Sequence, residues 1–166
     1  TRVNAGKPIL HLICGKIASG KSTLARQLAA EPHTALVRED HWLSNLYPDE
    51  MKTVQDYVKY SGRLRGALEE HLVSLLESGL SVVLDFPANT VGLRTWMRTL
   101  FEKAGTEHEL HYLDAPEAVC KERLKRRNED GSHEFAPSDE QCDLINRYFE
   151  PPTEEEGFTI ILHRAD

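Results

Sequence analysis

Gly15-Lys16-Ile17-Ala18-Ser19-Gly20-Lys21-Ser22 follows the spacing G-x-x-x-x-G-K-S, and its flanks constrain the fold more than any other stretch does. Before it runs Ile9 to Cys14, almost wholly apolar, as a strand covered on both faces should be. After it, a helix from Gly20 to Glu31 stops before Pro32. The glycines let the backbone curl so that successive N–H groups point inward, and the helix N-terminus adds partial positive charge. A strand, a loop of this kind and a helix together predict a nucleotide phosphate site spanning Gly15 to Thr23. In it Lys21 reaches the outer phosphates and the Ser22 hydroxyl ligates Mg²⁺. The D-x-x-G and N-K-x-D signatures of guanine-nucleotide switches occur nowhere, so ATP is the expected nucleotide.

The 166 residues fit a single domain, 1–166, with ordinary globular proportions of 40% hydrophobic and 28% charged residues. No apolar run approaches a membrane span and no signal-peptide pattern opens the chain, although Thr1 in place of Met points to a processed or trimmed start. Net charge is −7, which argues against a broad electrostatic footprint for nucleic acid. Cys14, Cys120 and Cys142 form no C-x-x-C pair and read as free thiols in a reducing cytoplasm. The eight histidines show no H-x-x-x-H grouping and read as surface or strand positions.

Further strands are expected at 35–37, 80–85, 110–113 and 158–162. Between them a helix starts near Pro48, and an amphipathic helix at 61–78 carries Leu64, Leu68, Leu72 and Leu76 before Gly79. Another uses Leu93, Trp96, Met97, Leu100 and Phe101 and ends at Gly105. One reaches from about 115 to Asn128, and a last one covers about 139–149. Residues 128–138 are polar and irregular. Alternating strands and helices predict a parallel, doubly wound α/β sheet with its ligands at the C-terminal strand ends.

Gly15, Asp40 and Asp85 all fall at or just after such ends. Asp40 is placed to accept the proton of a hydroxyl attacking the γ-phosphate, with Glu39 as a rival carboxylate. Asp85 closes Val82-Val83-Leu84-Asp85, a run like a Walker B strand, and is expected to hold Mg²⁺ with Ser22 or to bind substrate. On the 115–128 helix Glu117 can pair with Lys121 and Glu122 with Arg126, whereas Arg123 has no acid at three or four residues. Arg123 and Arg127, beside the polar loop, suit a lid over about 123–138 that closes on the transferring phosphate, unless Arg127 merely pairs with Asp130. Trp42, Tyr47, Arg38 and Arg63 are further candidates to line an acceptor pocket.

These pieces resemble the small P-loop kinases grouped with zeta toxins, polynucleotide 5′-kinase and chloramphenicol phosphotransferase. The resemblance rests on Gly15 to Ser22, Arg38-Glu-Asp40-His-Trp42, Val82 to Asp85, Arg123-Leu-Lys-Arg-Arg127 and Phe149-Glu-Pro-Pro152. It implies a P-loop NTPase three-layer sandwich, a five-stranded parallel sheet of order 2-3-1-4-5 between helices, with a small lid. It also implies Asp40 as base and Arg123 and Arg127 as lid arginines. The expected function is a cytoplasmic ATP- and Mg²⁺-dependent kinase, monomer or homodimer, that phosphorylates a hydroxyl of a small molecule. The alternatives are a polynucleotide or nucleotide kinase, and a nucleotide-binding module or ATPase with no acceptor.

Overall fold

The structure, a computed structural model, describes residues 7–130 and 139–164. Five parallel strands form one sheet: β1 (Ile9–Gly15), β2 (Thr34–Arg38), β3 (Ser81–Pro87), β4 (Glu107–Asp114) and β5 (Ile160–Arg164). Their order is β2-β3-β1-β4-β5, as the resemblance implies. The helices are α1 (Lys21–Ala29), α2 (Glu39–Leu46), α3 (Val54–Glu77), α4 (Val91–Ala104), α5 (Glu117–Asp130) and α6 (Asp139–Arg147).

Successive strand residues face opposite sides of the sheet, and the core divides accordingly. Leu10, Leu12 and Cys14 of β1 join Val82, Leu84 and Leu110 beneath the apolar stripes of α3 and α4. Ile13 and Val83 point the other way, toward Ala25 of α1. Cys14 and Cys120 are buried free thiols, and burial raises the Cys14 thiol to about 11. Among the described residues no helix is long and apolar enough to cross a membrane.

Several boundaries differ from expectation, among them α1, which ends at Ala29, and β5, which runs two residues later than 158–162. Helix α3 begins at Val54, earlier than the 61 that the leucine stripe suggests. Thr53 Oγ1 accepts from Asp56 N–H and Asp56 Oδ2 accepts from Thr53 N–H, both at 3.1 Å, a capping box worth about 1 kcal/mol. That box, with the buried row Leu64, Leu68, Leu72 and Leu76, outweighs the roughly 1 kcal/mol that each of Gly62 and Gly66 costs inside a helix. Residues 48–50 are a turn, and the expected helix start at Pro48 is not there. Helix α2 has no counterpart in the sequence reading, because in two turns it buries one apolar side chain, Leu43, too little for a periodic signal. Helix α5 continues through 128–130, which the loop reading assigned to irregular chain. The remainder of the expected lid, 131–138, lies outside the described residues.

The C-terminal segment is fixed by a buried ion pair that no sequence pattern announces. Arg94 of α4 is fully buried. Its Nε donates to Glu156 Oε1 at 2.8 Å, one terminal nitrogen donates to Glu156 Oε2 at 3.3 Å, and the other donates to the Ala88 carbonyl at 2.8 Å. Burial pushes the Glu156 carboxyl up, but the hydrogen bonds from Arg94 and from Thr153 N–H hold it below the usual range. Arg98 also donates to the Glu156 carbonyl and lies over the ring of Phe158, 4.4 Å from its centre.

Candidate active site

Strand β1 runs into the loop in register with β4 as far as Gly15, but its ladder with β3 breaks after Leu12. Beyond that break Ala88 N–H donates to the Ile13 carbonyl at 3.0 Å. Asn89 then takes both backbone groups of Gly15: its Oδ1 accepts from Gly15 N–H at 2.9 Å and its Nδ2 donates to Gly15 O at 2.7 Å. A side-chain amide thus stands in for a strand neighbour where the chain leaves the sheet. Glycine is required here by close approach, since a Cβ would stand 2.5 Å from Ser19 Oγ and 3.1 Å from the Leu113 carbonyl oxygen. Gly20 serves differently, turning into α1 at φ 104°, a left-handed conformation that costs glycine little.

The loop is held from two other elements. Ile17 N–H donates to Asn146 Oδ1 of α6 at 3.4 Å, and Arg123 of α5 donates to the Ser19 carbonyl at 3.1 Å. Arg123 therefore has a backbone partner on the loop that an accounting of helix-surface charges could not see. The two bland pairs on α5 do form, Glu117 with Lys121 at 3.6 Å and Glu122 with Arg126 at 3.4 Å. Arg127, one turn beyond Arg123, lines the same cavity as the loop.

Lys21 Nζ donates to the carbonyls of Gly15 and Lys16 at 2.7 and 2.8 Å. Burial lowers its ammonium pKa, while Asp85, then Cys14 and Asp40, act in the opposite sense. Ser22 Oγ donates to Asp85 Oδ2 at 3.3 Å. The Asp85 carboxyl is raised by burial and by the nearby charge of Asp40, with Lys21 opposing. Lysine, serine and two carboxylates therefore face one another at the C-terminal ends of β1, β2 and β3.

Glu39 is set apart from Asp40 by its surroundings. It is buried, accepts hydrogen bonds from Tyr57 Oη and from Ser61 Oγ (2.7 Å), and Arg65 in turn donates to Ser61 Oγ at 2.8 Å. Burial pushes its carboxyl up to about 7, against those hydrogen bonds. Asp40 is exposed and lines the large cavity with Lys21, Ser22 and Asp85. Its volume is about 820 Å³, and Arg26, Lys59, Arg65 and Arg127 also line it. A second cavity of about 360 Å³ lies across the loop, bounded by Ser19, Thr23, Gln27, Asp114, Arg123 and Arg164.

The four candidate acceptor-pocket residues are not among those lining either cavity. Tyr47 stacks on Tyr60 with ring centres 4.2 Å apart, and Arg63 lies over the same Tyr60 ring. Arg38 pairs in register with Asp85 at the sheet's end, and Trp42 is partly exposed on α2. The wall is built instead from α3, by Tyr57, Ser61 and Arg65. Tyr57 lies before the expected start of that helix at 61, and Ser61 and Arg65, inside it, carry no signal in the sequence that marks them as cavity-facing. The sequence reading also missed Asn89 and Asn146; the only hint of Asn89 was its position in Pro87-Ala-Asn-Thr90, directly after a strand end.

Sheet order, loop and helix arrangement define a P-loop kinase-like fold. The AAA domain family matches residues 10–152, and the chain belongs to it. Among solved structures, Kti12 of Chaetomium thermophilum in complex with ADP-AlF3 is similar at 19% identity and TM-score 0.73, over 96% of this chain and 90% of that one. A candidate kinase of Chloroflexus aurantiacus reaches 22% identity and TM-score 0.72, over 97% and 87%. The APS kinase CysC of Mycobacterium tuberculosis, in complex with AMPPNP and APS, reaches 20% and 0.60, over 94% and 88%. No curated protein matches the chain.

Proposed function

We propose that this chain is an ATP-dependent phosphotransferase that moves the γ-phosphoryl group to a hydroxyl of a small molecule. The observation that carries the reading is that Lys21 and Asp40 line one cavity, with Ser22 and Asp85 beside them. Structures of similar fold hold ADP-AlF3 in Kti12 and AMPPNP with APS in the APS kinase, which supports a nucleotide at this loop.

The backbone N–H groups of Gly15 to Thr23 cradle the phosphates, and Lys21 exchanges its carbonyl partners for phosphate oxygens. The nucleoside lies toward the smaller cavity, beside Arg123. Ser22 and Asp85 offer the oxygen donors that suit Mg²⁺, which when bound neutralises charge on the phosphates. The acceptor occupies the larger cavity, where Asp40 orients its hydroxyl and removes its proton. Glu39 lines the same cavity but is buried and already accepts from Tyr57 and Ser61, which favours the exposed Asp40 for that role. Arg127, which lines that cavity at the end of α5, neutralises charge on the transferring phosphate. A volume of about 820 Å³ holds a metabolite-sized acceptor, and the net charge of −7 makes a nucleic-acid end the weaker reading.

The test is to incubate the protein with γ-labelled ATP, Mg²⁺ and a panel of hydroxyl compounds, and to follow which gains label. Asp40→Asn should keep ATP affinity and lower transfer by about 10²–10⁴-fold. Transfer by that variant at close to the wild-type rate would place the base elsewhere. ATP binding with no transfer to any hydroxyl, in panel after panel, would favour a binding module.

A further inference from the structure

Histidines far apart in the sequence meet on the sheet. Their spacing along the chain shows no metal pattern, because the partners come from neighbouring strands. His11 of β1 and Glu109 of β4 are direct register partners, and His111 stands two residues beyond Glu109 on the same face. His163 of β5 lies diagonally across from His111, on the far side of β4. All four occupy the face of Ile13 and Val83; His11, Glu109 and His111 lie toward the N-terminal side of the sheet from the phosphate loop, whereas His163 stands level with Gly15 through Leu113 and also borders the smaller cavity.

Three atoms of this group form a nearly regular triangle. His11 Nδ1 is 3.2 Å from His111 Nε2 and 3.2 Å from Glu109 Oε1, and His111 Nε2 is 3.4 Å from the same Oε1. In a tetrahedral site with metal–ligand bonds of about 2.0–2.1 Å, the edges between ligand atoms are about 3.3–3.4 Å. The triangle is therefore one face of such a tetrahedron.

The fourth member fixes how the triangle presents itself. His163 Nε2 lies 3.0 Å from His111 Nδ1. With His111 Nδ1–H donating to His163, the His111 Nε2 lone pair is directed into the triangle, as the outer partner of a ligating histidine usually arranges. Two lone pairs and a carboxylate oxygen then converge, with at most one proton between them. Glu109 is 31% exposed, so the triangle opens to solvent on one side.

We propose that His11, Glu109 and His111 form a binding site for a divalent transition-metal ion of the zinc type, with His163 as the positioning residue behind His111. Two nitrogens and one carboxylate oxygen suit Zn²⁺ and its first-row neighbours, whereas Mg²⁺ and Ca²⁺ select all-oxygen surroundings. The fourth position is left for water or an exchangeable ligand. This site is separate from Ser22 and Asp85 and does not depend on the kinase reading.

The test is titration of the whole, chelator-treated chain with Zn²⁺ by calorimetry, in excess Mg²⁺. The expected result is one saturable equivalent in the wild type. Glu109→Gln and His11→Asn should each weaken it by about 100-fold or more. His163→Ala should weaken it by about 10–100-fold, the range of an outer-partner loss. Melting of each variant in chelator checks that it folds; Glu109→Gln, at a half-exposed position, decides the matter if His11→Asn does not. Absence of a saturable equivalent, or an affinity that Glu109→Gln leaves unchanged, overturns the proposal.

Discussion

Asn89 grips Gly15 by both backbone groups, accepting from its N–H at 2.9 Å and donating to its carbonyl at 2.7 Å. The Asn89 carbonyl also accepts from Glu150 N–H at 2.8 Å, so one residue ties the root of the phosphate loop to the chain that follows α6. Asn89→Ala leaves the Gly15 N–H without its partner and the Gly15 carbonyl with Lys21 alone, and should cost about 1–3 kcal/mol of stability. It should weaken ATP binding as well. Denaturant unfolding and ATP calorimetry on the same variant check both, and an unchanged ATP affinity would show that the clasp shapes only the fold.

In the proposed function Lys21 meets the outer phosphates and gives up its hydrogen bonds to the Gly15 and Lys16 carbonyls, while Gly15, Gly20 and the Asn89 clasp still shape the loop. Lys21→Ala should therefore leave circular dichroism and melting near wild type while lowering phosphoryl transfer by about 10²–10³-fold, as loss of one charge-stabilising donor does. Comparable turnover in a folded variant would end the phosphate-loop assignment.

Asp85 accepts from Ser22 at 3.3 Å, and the proposed function gives this pair the Mg²⁺ ion. Asp85→Asn should raise the Mg²⁺ concentration needed for half-maximal transfer, whereas Asp40→Asn should lower the rate at saturating Mg²⁺. Identical Mg²⁺ curves for Asp85→Asn and wild type would assign Asp85 to substrate instead.

Glu39 gives a pH dependence with a definite sign. Its carboxyl is raised by burial from 4.5 to about 7, so between those values the folded chain keeps a proton that the unfolded chain has released. Its stabilising contribution is full below about pH 4.5 and lost as pH rises through about 7, a change on the order of 3 kcal/mol. Glu39→Gln should remove that slope, so the difference between variant and wild type should change between pH 5 and pH 8. Parallel stability curves in urea would contradict it.

Arg94 and Glu156 predict the largest single loss. Glu156→Ala leaves the buried guanidinium with only the Ala88 carbonyl and the Cys14 sulfur, and should cost about 3–5 kcal/mol. Replacing both residues by apolar side chains of similar volume should recover most of that. A double-mutant cycle on melting temperature measures it, and purely additive losses would deny the coupling.

The sheet was legible because its strands are short apolar runs set between glycines, prolines and helices with clear stripes. The loop was legible because its chemistry demands particular residues at fixed spacing. What stayed hidden depends on contacts between distant parts of the chain. Asn89 is an ordinary loop asparagine until β1 and β3 part, and Arg123 looks unpaired until Ser19 meets it. Tyr57 reaches the cavity wall from the turns that the capping box adds before 61, while Trp42 and Tyr47, more conspicuous by composition, line neither cavity. The histidines of β1, β4 and β5 carry no periodic signal at all.

The pairing of Arg94 with Glu156 also sets an order on the making of the molecule. The two residues are 62 apart, and β1, β3 and α4, which bury the guanidinium, are all translated long before its counter-ion. A chain emerging from the ribosome can lay down those elements but must keep Arg94 in water until the Glu156 carboxylate arrives. Burial of Arg94 beneath α4 is thus coupled to docking of the turn at Glu154–Glu156, just before β5, and full burial of the guanidinium has to wait for that turn.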